Sequence, residues 1–72
     1  MYTWSAHNNS SFLNGSRPAK TLLGAVRAGR EYVRGELYGE GVIQIFDADG
    51  YPVRRDECSI FTGYKWVVTC KS

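Results

Sequence analysis

The chain has 72 residues, nine lysines and arginines, seven aspartates and glutamates, and a formal net charge of +2. A chain of this length forms one domain near the lower limit for independent folding, and its charge is too small to indicate nucleic-acid binding by composition alone. It contains no apolar run of the roughly 18 residues that a transmembrane helix needs.

The N-terminal segment is predicted to form a strand followed by a loop. Residues 2–6 alternate in character and are rich in aromatic side chains, which favours a short β-strand. Residues 1–7 lack the basic and apolar regions of a secretory signal peptide, so a cytoplasmic, reducing location is expected. Residues 7–16 are rich in Asn, Ser and Gly and predict a loop, which Phe12 and Leu13 attach to the core.

A helix is predicted over residues 17–36. Ser16 is a favoured N-cap residue, and Pro18 is tolerated in the first helical turn. Gly29 lies near the apolar stripe, where the absence of a side chain allows close approach to a sheet. The apolar residues recur at helical spacing and form one stripe, which consists of Leu22, Leu23, Val26, Val33 and Leu37.

Residues 42–70 predict an antiparallel β-meander. The strand 42–46 places Ile43 and Ile45 on one face. The segment 47–50, Asp-Ala-Asp-Gly, closes a hairpin in which Gly50 supplies a positive φ. A second strand covers 51–55 and includes Pro52, which cannot donate to a ladder, so one side of it is expected to face no neighbour.

A third strand covers residues 64–70 and completes the meander. The predicted fold class is therefore α+β, a single domain over residues 1–72. One helix packs on an antiparallel sheet of three to four strands, in the chain order β-α-β-β-β.

The residues offer no catalytic or metal-binding constellation. A calcium loop that began at Asp47 would need a glutamate at its twelfth position, which Cys58 occupies. Structural zinc needs four ligands, usually in close pairs, and the chain has two cysteines and one histidine. Cys58 with His7 as its base has no evident orienting group. We therefore expect a protein that is not an enzyme, with no catalytic residues, no metal and no cofactor.

The redox state of the two cysteines is left open by the sequence. Cys58 and Cys70 would form one disulfide at most. A reducing location favours free thiols, whereas a domain this small benefits from a covalent link.

Six basic residues are the predicted partner-binding residues. On a helical wheel three of them, Lys20, Arg27 and Arg34, fall within roughly 40° of one another. The sheet contributes the other three, Arg54, Arg55 and Lys65. Arginines form forked hydrogen bonds with carboxylates or phosphates. The alternative interpretation is a solvated helix flank and an edge strand that charges protect from aggregation.

Aromatic residues lie beside one of these cations. Tyr64 and Trp66 flank Lys65, and two further aromatic residues lie near the N-terminus. Such a group stacks nucleic-acid bases or provides hot spots for a protein partner. The alternative is core packing, which Trp66 favours because it shares its predicted face with Val68 and Cys70.

The layout of strand, helix and three-stranded meander over residues 19–70, with its ending Lys65-Trp66-Val67-Val68-Thr69-Cys70, resembles small phage-encoded anti-CRISPR proteins. This resemblance implies a protein of the bacterial cytoplasm that binds a host CRISPR effector. It also implies that charged and aromatic side chains block the surface where DNA or guide RNA would run.

The predicted function is that of a small non-catalytic phage or mobile-element protein that binds and occludes a host protein or nucleoprotein complex. The alternative is a small nucleic-acid-binding module that uses the same cations. No membrane partner is expected. A homodimer through a free sheet edge is compatible with the pattern.

Overall fold

Five β-strands form one antiparallel sheet, and one α-helix packs on it, within residues 1–8, 12–14 and 18–70, which the computed structural model describes. A short 3₁₀ helix, Ile60–Thr62, precedes the last strand. The helix is α1, Leu22–Glu36. The strands are β1, Thr3–His7; β2, Phe12–Asn14; β3, Gly41–Phe46; β4, Pro52–Cys58; and β5, Val67–Cys70.

The strand order β2-β1-β3-β4-β5 confirms the predicted fold class, a small α+β domain with one helix on an antiparallel sheet. Both β2 and β3 run antiparallel to β1, so α1 connects two strands of like direction and crosses over β1. The sheet adds β2 to the predicted order β-α-β-β-β. This strand lies inside the predicted loop 7–16, of which residues 9–11, 15 and 16 lie outside the described part.

The helix begins at Leu22, and its predicted start at residue 17 is wrong. Ala19 instead pairs with Tyr2, with N–O distances of 2.7 and 2.8 Å between their backbones. Thr21 is the N-cap, because its Oγ1 accepts a hydrogen bond of 3.0 Å from the Gly24 N–H. The predicted N-cap, Ser16, lies outside the described residues. In the part of the chain that the structure describes, no helix has both the length and the apolar character needed to cross a membrane.

The apolar stripe of α1 packs on one face of the sheet except for Leu23, which is 66% exposed, so its predicted place in the stripe is wrong. Ile43 and Ile45 are fully buried there, together with Val33 from the helix. Gly29 allows the close approach, since a Cβ atom at this position would lie only 2.6 Å from Ile43 Cγ2. The buried cluster consists of Trp4, Ala6, Ala25, Val26, Val33, Leu37, Ile43 and Ile45.

The predicted hairpin at residues 47–50 is confirmed. Asp47 Oδ1 accepts hydrogen bonds from the N–H groups of Asp49 and Tyr51, at 2.9 and 3.0 Å. Gly50 has the positive φ expected of it, 86°. Pro52 lies opposite Phe46 and before the residues of β4 that pair with β5, so it faces none of the described residues of β5.

The two later strands differ in length from the prediction. The second strand runs to Cys58 instead of residue 55, and the third begins at Val67 instead of residue 64. The 3₁₀ helix and a left-handed Tyr64, with φ of 60°, occupy the segment between them. The polar residues at 54–57 concealed the strand, because a fully buried aspartate next to partly buried arginines is unusual in a strand.

Candidate functional site

The helix covers only part of the sheet. It packs mainly on β1 and β3, so the same face of β4 and β5 is bordered by the flank of the helix. The pairing of Asp56 with Ile43 on one side and Val68 on the other places these three side chains on the helix face. We call the space between this flank and the last strand the α1–β5 groove, bounded by Arg30, Arg34, Tyr64, Trp66 and Val68.

A buried carboxylate forms the floor of this region. Asp56 is fully buried, and its Oδ2 accepts hydrogen bonds from the Arg30 side chain, at 2.9 Å from Nε and 2.8 Å from Nη2. Arg54 Nε donates to Asp56 Oδ1 at 2.7 Å. A charge removed from water is tolerated only when it is paired in this way. The two arginines therefore join the helix to β4 through one aspartate.

Trp66 forms one wall of the α1–β5 groove. The guanidinium carbon of Arg30 lies 4.8 Å from the centroid of the Trp66 ring, a cation–π distance. Trp66 is half-buried and packs against the core cluster. The alternative that Trp66 is a core residue is therefore correct in part, and some of its indole ring remains open to the α1–β5 groove.

A cavity of about 320 Å³ lies at the end of the α1–β5 groove. It is lined by residues from the C-terminal part of the helix and from the segment before β5: Arg34, Gly39, Cys58, Tyr64 and Trp66. Arg34 is exposed and forms no ion pair with any described residue. The cavity therefore combines an uncompensated cation with two aromatic side chains.

Large apolar side chains are exposed next to this cavity. Ser59 caps the 3₁₀ helix, because its Oγ accepts a hydrogen bond of 3.2 Å from the Phe61 N–H, and this turn leaves Phe61 94% exposed. We call the exposed apolar residues of this segment the 60–68 apolar surface: Ile60, Phe61, Tyr64, Val67 and Val68, of which the last two lie on opposite faces of β5.

The three predicted helix cations do not form one helical line. Lys20 precedes the N-cap Thr21 and is exposed outside the helix. Arg27 and Arg34 are exposed on one flank, as predicted. Arg30 lies between them in the chain and within roughly 60° of both on the helical wheel, and the sequence prediction missed it. A carboxylate on the core face of β4 needs a cation close to it, and this requirement would have identified Arg30.

The three predicted sheet cations are in different environments. Arg54 and Arg55 are consecutive in a strand, so their side chains lie on opposite faces of the sheet. Arg54 binds the buried Asp56, and Arg55 Nη1 binds Glu57 Oε2 at 3.0 Å on the uncovered face. Lys65 is exposed between the two aromatic residues that line the cavity. The six cations therefore do not share one patch, and of them Arg34 borders the α1–β5 groove.

A second cavity, of about 160 Å³, contains the histidine and cysteine considered in the sequence. His7 and Cys58 both line it. However, Cys58 lies opposite Gly41, whereas His7 lies opposite Val42, so their side chains belong to opposite faces of the sheet. Among the described residues no group of three His, Cys, Asp or Glu side chains is placed to hold a metal ion.

Comparisons with protein-family models, with curated proteins and with solved structures gave no match. The functional proposal therefore depends on the surface of this chain and on the resemblance described in its sequence.

Proposed function

We propose that this chain is a small non-catalytic binding protein of a phage or mobile element, which occludes a host protein or nucleoprotein complex in a bacterial cytoplasm. The observation that supports a binding role is the 60–68 apolar surface. Exposed apolar residues are concentrated in this short segment of the chain, and exposed apolar surface is typical of interaction sites. The phage origin and the inhibitory role are suggested by the resemblance to anti-CRISPR proteins.

The composition of this surface favours a protein partner. Tyrosine, phenylalanine and tryptophan are enriched in the buried centres of protein interfaces, and so is arginine. Phe61 and Tyr64 are the exposed aromatic residues here, and Arg34 lies beside Tyr64 in the cavity lining. Such a surface excludes water from an apolar contact and surrounds it with charge.

The surface is also held in a fixed shape by local hydrogen bonds. Thr62 Oγ1 accepts a hydrogen bond of 2.9 Å from the Ser59 N–H, and the Tyr64 N–H donates to the Ser59 carbonyl at 2.8 Å. A preorganised surface loses little conformational entropy on binding. This supports a role in which the protein occupies a site on a larger partner and keeps other molecules from it.

The test is capture of a defined partner followed by competition. Tagged protein is incubated with bacterial lysate, the captured protein is identified by mass spectrometry, and the purified pair is titrated. We expect Phe61→Ser to weaken binding at least tenfold, since an aromatic residue at an interface centre contributes at least about 1.4 kcal/mol. Tyr51→Ser is the matched control, because Tyr51 is 69% exposed at the distant hairpin.

Occlusion is tested with the purified partner and its own ligand. The wild-type chain should displace that ligand in proportion to the partner sites it occupies, and Phe61→Ser should not do so at the same concentration. Absence of a saturable partner, or equal binding by the Phe61 and Tyr51 variants, would refute the proposal.

Nucleic-acid binding is the second candidate, and the helix flank favours it. Arg27, Arg30 and Arg34 lie within one sector of the helix, and Trp66 and Tyr64 provide faces on which bases stack. Arg30 is already paired with Asp56, which reduces the charge available for phosphates. If the chain binds nucleic acid, its affinity for nucleic acid should fall steeply as the salt concentration rises. A gel-shift titration that shows no binding at low salt would refute this second candidate function.

A further inference from the structure

We propose that β5 is the docking strand of this protein. In this inference, which rests on the proposed function, an extended acidic segment of the partner pairs with the outer edge of β5 as an additional strand. One of its carboxylates forms an ion pair with Arg34 in the α1–β5 groove. Three observations carry the assignment: the edge itself, the local charge and the path of the groove.

The outer edge of β5 is open to a further strand. β5 is the last strand in the sheet order and pairs with β4 on one side, and no described strand lies on its other side. Its outward N–H and C=O groups form a template that a polypeptide in extended conformation satisfies. Val67 and Val68 are 49% and 42% exposed on its two faces, so an added strand would bury apolar surface on both sides of the sheet.

The charge around this edge is net positive because two of its carboxylates are paired with arginines. Asp56 is paired with two arginines, and Glu57 with Arg55. Glu40 Oε2 accepts a hydrogen bond from the neutral Ile60 N–H at 3.3 Å, so Glu40 keeps its negative charge. In contrast, neither Arg34 nor Lys65 forms an ion pair with a described residue. The edge therefore complements a segment that carries carboxylates.

The groove gives the acidic side chain a place to bind. Side chains of an added strand alternate between the two faces, so every second one would lie on the helix face beside Val68. Trp66, which precedes β5, lines the cavity of about 320 Å³ together with Arg34 and Tyr64. A glutamate or aspartate there would meet a guanidinium group that no described carboxylate pairs with, and would form a charge-assisted hydrogen bond with it.

Two other occupants fit these observations less well. Nucleic acid does not present alternating N–H and C=O groups, so it would leave the outward backbone of β5 unpaired. A second copy of the chain would bring two sets of the cations Arg34 and Lys65 to one short interface, against one carboxylate per copy, Glu40, that forms no ion pair with a described residue. An acidic peptide segment satisfies both the backbone and the charge.

The test uses the full ¹⁵N-labelled chain and three probes. The first is a ten-residue peptide of alternating threonine and valine that carries three glutamates, and the second has lysines in their place. The third is a ten-nucleotide oligothymidylate. We expect the acidic peptide to shift the amide signals of Val67, Val68 and Thr69 in a saturable manner. The lysine peptide and the oligonucleotide should leave these signals in place.

Charge reversal at Arg34 separates the specific contact from general attraction. Arg34→Glu should lower the affinity for the acidic peptide at least tenfold, because a charge pair worth about 1.4 kcal/mol is lost. The same variant should bind the lysine peptide more tightly than the wild-type protein does. Arg27→Glu, an equal charge change on the same helix flank, should alter the affinity by less than threefold. Both residues are exposed, so neither variant is expected to affect folding.

Several results would overturn the assignment. These are equal shifts with all three probes, no shift with the acidic peptide, equal losses in the two arginine variants, or movement of β5 signals with protein concentration alone, which indicates a second copy. The proposed function fails separately. If a captured partner binds the Arg34→Glu variant as tightly as the wild-type protein, only the assignment of β5 as the docking strand is refuted. An acidic peptide that binds β5 in a protein without any captured partner refutes only the occluding role.

Discussion

Arg30 in the helix and Asp56 in the sheet form an ion pair with Nη2 and Oδ2 2.8 Å apart, and Asp56 is fully buried. Because Arg30 also stacks on Trp66, one arginine connects the helix, β4 and the wall of the α1–β5 groove. The geometry of the candidate site therefore depends on a contact between residues that lie 26 positions apart in the chain.

The first prediction concerns this buried carboxylate. Asp56→Asn removes the buried carboxylate that pairs with both Arg30 and Arg54, and removing one partner of a buried pair costs about 3–5 kcal/mol. We expect a loss of this size in the free energy of unfolding measured by urea titration. Glu57→Gln is the control, since Glu57 pairs with Arg55 at the surface and its loss should cost at most about 1 kcal/mol. Equal effects of the two variants would contradict the role assigned to Asp56.

The parts of the fold that depend on local pattern were predictable from the sequence. The apolar stripe of the helix, the two buried isoleucines of β3 and the 47–50 turn each follow from the spacing of neighbouring residues. The start of the helix was not predictable from the sequence, because the backbone of Ala19 pairs with that of Tyr2. The pattern of neighbouring residues does not indicate such a contact between residues that are distant in the chain.

The candidate site was predictable only in its exposed part. The wheel placed Arg27 and Arg34 on one flank, and both lie there. Which arginines form buried ion pairs and which stay at the surface depends on β4, where Asp56 is buried in the core. A run of charged residues ordinarily indicates solvent exposure. The sequence therefore assigned Arg54 and Arg55 to a common surface, whereas the strand places them on opposite faces.

A second prediction concerns two glycines of the helix. Gly29→Ala would place a methyl group 2.6 Å from Ile43 Cγ2, an atom of a fully buried side chain. Overpacking of a core typically costs about 1–3 kcal/mol, so the variant should be less stable despite its better helix propensity. Gly35→Ala meets no atom within 4 Å and should gain up to about 1 kcal/mol. Urea titrations that show the same sign for both substitutions would contradict the close helix–sheet approach.

The end of the helix provides a third prediction. Tyr38 has a φ of 57° and is 92% exposed, and a left-handed conformation costs a non-glycine residue roughly 1 kcal/mol. Tyr38→Gly should therefore raise the free energy of unfolding by up to about that amount, measured by thermal or urea denaturation. Tyr51→Gly, at an exposed position without a positive φ, should not stabilise the protein. Destabilisation by Tyr38→Gly would show that the ring makes a contribution larger than the backbone strain.

The observed start of the helix gives a fourth prediction. Thr21→Ala removes the oxygen that accepts a hydrogen bond from the Gly24 N–H, and the loss of an N-cap costs about 1 kcal/mol. Thr21→Ser keeps this oxygen and should retain most of the stability. The helix signal in circular dichroism, followed through urea titration, distinguishes the two variants. If alanine and serine behave alike, Thr21 does not act as the cap.

The last prediction concerns the cysteines, whose redox state the sequence left open. Cys58 is free and buried. Cys70 pairs with Arg54 on β4, four residues before Cys58, which separates the two Cα positions by about 13 Å at the usual rise of a strand. A disulfide bridges Cα atoms no more than about 7 Å apart. Reducing agent should therefore leave the free energy of unfolding unchanged, and alkylation after denaturation without reductant should modify both thiols. A monomer that resists alkylation until it is reduced would mean that the pairing of β4 and β5 differs from the one described, because only a shift of four residues brings the two sulfur atoms together.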